Sequence, residues 1–278
     1  MRVPDEENDS LAPDILLLEG GGKQVSDIIA EAESAEPNVK EVEKILDYKF
    51  SDEKLLLEAL IHPSFSFPVK SCISYERLEY IGDSVLNLLV ARELFFLYPD
   101  LPPGLLTKLR AANVDNEKLA RVAVRHSLHD YLRHKAPHLQ EQIQEFSQAV
   151  LDYPVHSNGL IDTPKVLADI VESLVGAVFV DCHSSLETVW QVFKRLLEPI
   201  ISLETLGTHP VTELFEFCQK KRLLLPRFVK DSWNENTAVD VFIGDLLVGT
   251  ATCGNKKEIA QNRAAKAALD YLKATTDL

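Results

Sequence analysis

The sequence predicts an all-α domain followed by a small two-layer α+β module. Three observations carry that expectation. From Val39 to about Ile201, apolar residues recur at helical spacing in one segment after another. After "SLETLGTH" (202–209) the period shortens to two, as in half-buried strands. Gly244 and Asp245 stand between two such runs as a two-residue hairpin turn.

Taken in order, residues 1–38 are acidic, carry "GGG" at 20–22 and three prolines, and hold no sustained period. They read as a disordered leader. The all-α domain is expected over 39–201. Its helix-period segments are "EKLLLEALI" (53–61), "ERLEYIGDSVLNLLVARELFFLY" (76–98), "LLTKLRAANVDNEKLARVAVRH" (105–126), "PKVLADIVESLVGAVFVD" (164–181) and "LETVWQVFKRLLEPII" (186–201). In the second of these, Val85, Leu88, Leu89, Leu94, Phe95 and Leu97 read as core. Pro63, Pro99, Pro102, Pro103, Pro154 and Pro164 fall where breakers should. A linker at 202–208 leads to the second module, 209–276. There "PVTELFEFCQKKR" (210–222) reads as a helix, and "PRFVKDSW" (226–233), "AVDVFIG" (238–244) and "DLLVGTATC" (245–253) read as strands. "KKEIAQNRAAKAALDYLKA" (256–274) reads as a closing helix with Ala260, Ala264, Ala267, Ala268 and Tyr271 inward. The order α-β-β-β-α gives a two-layer module.

Of the 278 residues 46% are hydrophobic, enough for a real core. No apolar run reaches the roughly 20 residues that span a bilayer, and the N-terminus resembles neither a secretory signal nor a transit peptide. Cys72, Cys182, Cys218 and Cys253 form no zinc spacing and read as reduced thiols. These features predict an intracellular protein, in nucleus or cytoplasm, with no membrane partner. The net charge of -14 argues by itself against a nucleic-acid partner. Its distribution softens the point: residues 1–44 carry -8, whereas residues 209–278 carry +1.

The chemistry-bearing feature is acidic. Glu76, Glu79 and Asp83 recur at i, i+3, i+7 on one helix, and Asp169 and Glu172 sit at i, i+3 on another helix rich in Leu, Val and Ile. Buried carboxylates are costly unless paired or bound to metal. If the two helices pack side by side, Glu79, Asp83, Asp169 and Glu172 converge, and four such groups require a counter-charge. Oxygen-only ligands suit Mg²⁺ or Mn²⁺. Solvation, or pairing with Arg77, Arg92 or Lys165, is the plainer reading of the same acids. A di-metal carboxylate bundle fits less well, since it supplies Glu-x-x-His pairs, which these helices lack.

"ERLEYIGDSVL" resembles the signature of the ribonuclease III family, and "PKVLADIVESLVGAVFVD" its second acidic motif. "EALIHPSF" (58–65) and "LRAANVDNEKLARVA" resemble its other segments, in order, over roughly 39–201. The module after them resembles a double-stranded-RNA-binding domain. One nuclease domain plus one such domain is similar to the bacterial enzyme and to the ribonuclease-III-like proteins of plants, not to Dicer with its two nuclease domains. The resemblance implies a Mg²⁺- or Mn²⁺-dependent endoribonuclease, cutting double-stranded RNA as a homodimer and leaving 3′ overhangs. It implies Glu79, Asp83, Asp169 and Glu172 as metal ligands, with Asp83, Glu172 and Lys165 catalytic and Glu76 near the RNA backbone. Tyr80 stands where the family inserts an aromatic residue into the partner, although by itself it fits a core as well. His62 matches a loop histidine with a structural role. A non-enzymatic relative is the rival reading, but such relatives usually lose acids and this chain keeps all four.

Duplex RNA is read by shape, 2′-hydroxyls and phosphates. In the second module Glu216 and Gln219 on its first helix, and Lys256, Lys257 and Arg263 on its last, are the expected contacts. The family's lysine triplet falls on Lys257, Glu258 and Gln261, so one lysine is in register. "SWNENTA" lacks the usual loop histidine. Weak RNA affinity, or a dimerisation or protein-contact role for the module, follows from those departures.

Overall fold

The structure is a computed structural model of the chain, and it describes residues 39–65, 74–230, 233, 237–254 and 256–276. The leader (1–38), Cys72 and most of the "SWNENTA" loop lie outside the described residues.

The first unit is helical. Its helices are α1 (Val39–Leu46), α2 (Glu53–Ala59), α3 (Glu76–Leu97), α4 (Pro103–Val114), α5 (Asn116–Arg125), α6 (Leu139–Ala149), α7 (Lys165–Asp181) and α8 (Leu186–Leu197). The segment 105–126, continuous in helical period, is two helices in fact. Asp115 breaks it: its backbone is extended and its side chain accepts from Lys118 N, capping α5. α1 and α6 are short and were not evident from apolar spacing.

α7 is the central element, with Val166 through Val178 buried without interruption. A helix apolar all round belongs inside a core. α3 crosses it in direct backbone contact. A Cβ on Gly82 would lie 1.8 Å from Glu172 O, and one on Gly176 would lie 2.1 Å from Leu78 O. Only hydrogen at both positions lets the two axes come this close. α3 itself is only half inside. Val85, Leu86, Leu89, Val90 and Leu94 are buried, but Leu88, Phe95, Phe96 and Leu97 are exposed. The expectation that Leu88, Phe95 and Leu97 belong to the core is therefore corrected: Leu88 and Phe95 lie on the side away from the buried stripe, and Leu97, although on that stripe, is the last residue of the helix.

The second unit has α9 (Pro210–Lys220), β1 (Pro226–Val229), β2 (Ala238–Ile243), β3 (Leu246–Thr252) and α10 (Lys257–Thr276). The antiparallel sheet runs β1-β2-β3. Ile243 pairs with Leu246 across the Gly244-Asp245 turn, and Gly244 has φ +61°, as a tight hairpin requires. Both helices pack on one face around Leu214, Cys218, Val239, Val241 and Val248. The buried face of α10 is Ala260, Ala264, Ala265, Ala268, Leu269 and Leu272. Tyr271, expected inward, is exposed, because the stripe follows Leu269 and Leu272 instead.

The two units touch through the loop before α7. Asn262, 3% exposed, donates to Gly159 O at 2.9 Å, and Arg263 Nε donates to Leu160 O at 2.8 Å.

Candidate active site

The close crossing of α3 and α7 brings acids from both helices together. Glu79, Asp169 and Glu172 each offer a carboxylate oxygen within 4.8 Å of the others. Asp83 is not one of this tight group. It stands exposed one turn further along α3, where its charge still acts on Glu172. Asp169 and Glu172 are buried and Glu79 is half-buried. Burial and the neighbouring charges of Asp83, Asp169 and Glu79 raise the Glu172 carboxyl to about 7. Burial also raises Asp169, and the bond from Lys165 offsets this only in part.

Lys165, the first residue of α7, reaches back into the group. Its ammonium lies 2.7 Å from Glu79 Oε1 and 2.5 Å from Asp169 Oδ1. Burial works against the charge, but the bonds to Asp169 and Glu79 outweigh it and hold the lysine protonated. The side chain is 63% exposed, so water screens these pairs and they add little to stability. What they supply is one positive charge for three negative ones. Among the plainer pairings expected from sequence, Lys165 is thus engaged with the acids, whereas Arg92 pairs with Glu187.

Three contacts support the group without having been singled out in the sequence. Tyr75 donates from its hydroxyl to Asp169 Oδ2 at 3.1 Å; its place directly before "ERLEY" was the available signal. Asn87 Nδ2 donates to Asp83 Oδ1 at 2.8 Å, and Arg110 Nη1 donates to Asn87 Oδ1 at 2.5 Å. Asn87 lies at i+4 from Asp83, the spacing at which helical side chains meet. Arg110 comes from a different helix and carried no signal. Further back, buried Glu117 accepts from Arg121 and from Ser157 N and Oγ. It pins the loop that leads through Pro164 into Lys165.

The remaining expected residues lie at the edges. Glu76 is exposed at the start of α3 and accepts from Ser74 Oγ. His62 accepts from Ser64 N at 3.0 Å and packs edge-on against Tyr75; burial lowers its pKa. Tyr80 is 78% exposed and not in the core. Beside it is a concavity of about 670 Å³ lined by Leu55, Leu78, Ile81 and Val180 together with Glu58, Glu76 and Arg77.

On the second unit, Glu216, Gln219, Lys256 and Lys257 are exposed. Lys257 sits over the Trp233 ring at 5.4 Å, and Lys256 lies 3.5 Å from Asp162. Arg263 is exposed, though its Nε is used on Leu160 O. Lys230, which the sequence did not single out, reaches Gln261 Oε1 at 2.5 Å. It brings an ammonium from the end of β1 to the third position of the triplet. Among the described residues, no helix is long and apolar enough to cross a membrane.

Comparison with known proteins agrees with this layout. Residues 76–183 match the Ribonuclease III domain and residues 210–272 the Double-stranded RNA binding motif. Ribonuclease 3-like protein 3 of Oryza sativa is 59% identical over 85% of this chain and 79% of its own length. Endoribonuclease Dicer homolog 1 of Arabidopsis thaliana is 48% identical over 84% of this chain, a match to only 12% of that protein. Among solved structures, the nuclease domain of ribonuclease III from Campylobacter jejuni aligns at 30% identity and TM-score 0.44, covering 58% of this chain and 97% of that one. With a relative this similar over most of both lengths, and with both domains matched in order, the chain belongs to the ribonuclease III family of endoribonucleases.

Proposed function

We propose that the chain hydrolyses double-stranded RNA as a homodimer, using divalent metal and leaving 5′-phosphate and 3′-hydroxyl ends with 3′ overhangs. The observation that carries this reading is the acid cluster. Three carboxylates share one patch with one lysine, and burial together with the charges of Asp83, Asp169 and Glu79 raises Glu172 to about 7. That environment fits a hard divalent cation such as Mg²⁺ or Mn²⁺, held by Glu79, Asp83, Asp169 and Glu172. When bound, such a cation neutralises the scissile phosphate and makes water a nucleophile near neutral pH. Its charge would favour the ionised form of Glu172, and Asp83 and Glu172 would orient the attacking water. The Lys165 ammonium, already aligned by Glu79 and Asp169, meets a phosphate oxygen in the transition state. Glu76 lies toward the RNA backbone. The expected residues of the second unit, Glu216, Gln219, Lys256, Lys257 and Arg263, together with Lys230, contact the duplex.

The dimer rests on the exposed side of α3. Tyr80, Leu88 and Phe95 are exposed along it, Phe96 and Leu97 are exposed at its C-terminal end, and a concavity of apolar and charged residues lies beside Tyr80. Exposed apolar surface of this kind marks protein contacts, and a second copy offers both an aromatic knob and a hollow.

Purified protein with long duplex RNA, with and without Mg²⁺, tests the activity. Short duplex products only with Mg²⁺ are expected. Intact duplex at every Mg²⁺ concentration would leave a non-catalytic RNA-binding relative as the reading.

A further inference from the structure

Asp83 is supported differently from the other acids. Lys165 contacts Glu79 and Asp169 directly. Among the described residues no ion pair reaches Asp83. It receives instead an amide hydrogen bond: Asn87 Nδ2 donates to Asp83 Oδ1 at 2.8 Å and to Asp83 O at 3.0 Å. Arg110 Nη1 in turn donates to Asn87 Oδ1 at 2.5 Å. The chain thus runs from a guanidinium on α4, through an amide on α3, to a carboxylate on the same helix.

The order of atoms is chemically fixed. A guanidinium has only donors, so the amide must turn its oxygen toward Arg110 and its NH₂ toward Asp83. Arg110 therefore sets which way Asn87 points, and Asn87 fixes one oxygen of Asp83. Among the described residues, no cationic side chain pairs with this carboxylate, and no hydrogen bond reaches Oδ2. A direct Arg110–Asp83 pair would hold the group equally well but would neutralise it. Asp at 87 would satisfy Arg110 and set a second carboxylate against Asp83. An amide at this position both accepts from the arginine and donates to the acid.

We propose that Asn87 and Arg110 are positioning residues that orient Asp83 for divalent-cation coordination without pairing it to a cationic side chain. The proposal rests on the metal reading above. Groups that orient metal ligands typically account for about 10- to 100-fold in metal affinity or activity.

The test is Mn²⁺ titration of the full chain by electron paramagnetic resonance, alongside the Mg²⁺ dependence of cleavage. Asn87→Ala and Arg110→Ala should each weaken Mn²⁺ binding about tenfold or more. Each should raise the Mg²⁺ needed for half-maximal cleavage by the same factor. Duplex affinity without metal and the melting temperature should stay at wild-type values. Arg110→Lys, which keeps a donor, should recover part of the loss. The double Ala variant should be no worse than either single, because both act through one relay. Mn²⁺ affinity within twofold of wild type in both single variants would overturn the proposal, and so would a loss of metal-free duplex binding in Arg110→Ala. Wild-type protein that binds no Mn²⁺ would sink the metal reading itself, a failure visible before any variant is made.

Discussion

The acids of α3 and α7 sit at a helix crossing, whereas the lysines at the start of α10 are exposed at the surface. Asp169 and Glu172 are 5% and 7% exposed, while the Lys256 side chain is 60% exposed. Like charges can be held together under the surface only if the backbone holds them, and Gly82 and Gly176 supply that constraint. Cations at the surface need only a helix to stand on. Gln261 illustrates this: the helix lacks a lysine there, and Lys230 reaches the position from the end of another element. One site is fragile and exact in geometry; the other tolerates substitution and relocation.

The sharpest way to break that contrast is Gly82→Ala. The new methyl would meet Glu172 O and Gly176 N, both backbone atoms, so the helices must separate. Overpacking costs about 1–3 kcal/mol and more where backbone must move. The expected outcome is a melting temperature several degrees lower and no cleavage. Gly104→Ala, with nothing within 4 Å, should melt at or above wild type. Equal melting of Gly82→Ala and wild type would show that the crossing is not under this constraint.

Glu172→Gln separates chemistry from packing. It should abolish Mg²⁺-dependent cleavage while leaving duplex binding intact. Its stability effect has a definite sign. The folded pKa of Glu172, about 7, lies above its ordinary value, so the folded state binds this proton more tightly than the unfolded one. That contribution is complete below the ordinary carboxyl range and is lost as pH rises to about 7, a cost on the order of 3 kcal/mol. Glutamine never ionises. Metal-free Glu172→Gln should therefore melt higher than wild type at pH 8 and gain nothing at pH 4. A variant that melts lower at pH 8 would contradict the burial argument.

Tyr80→Ala addresses the outer side of α3. Truncating a buried aromatic costs about 3–5 kcal/mol, so loss of this contact should shift a dimer toward monomer. Light scattering at micromolar concentration reads the change. A wild-type monomer would contradict the dimer.

The smallest effect is expected from the surface cations. Lys257→Ala and Lys230→Ala should each weaken duplex binding modestly and reduce the salt slope by about one. A chain truncated after Glu204 should still cut long duplexes at low salt, with lower affinity. Failure of that shortened chain to cut, despite an intact fold, would move most substrate binding to the second unit.

Much of this was legible in the sequence. The helix-then-strand order follows from apolar period, and Gly244-Asp245 fixed the hairpin. Glu79, Asp169 and Glu172 stood out because acids among Leu, Val and Ile demand an explanation. The misreadings share a cause. Leu88 and Phe95 have core spacing but face outward, and Leu97 runs past the cover at the helix end, since period gives a helix its faces without saying how much of them is covered. Tyr271 was placed inward for the same reason. Arg110 was invisible, because its partner Asn87 lies 23 positions away and nothing in a linear pattern joins them.

The sequence by itself determined the two units, the residues able to carry metal chemistry and the single lysine in register on α10. Those are local properties of period, residue type and spacing. Only the tertiary structure decided that α3 and α7 cross at two glycines, that Lys165 closes on Glu79 and Asp169, and that Asp83 is held through Asn87 by Arg110. Each of these joins residues from different helices, and their energies depend on distances of a few ångströms that only the packed chain sets.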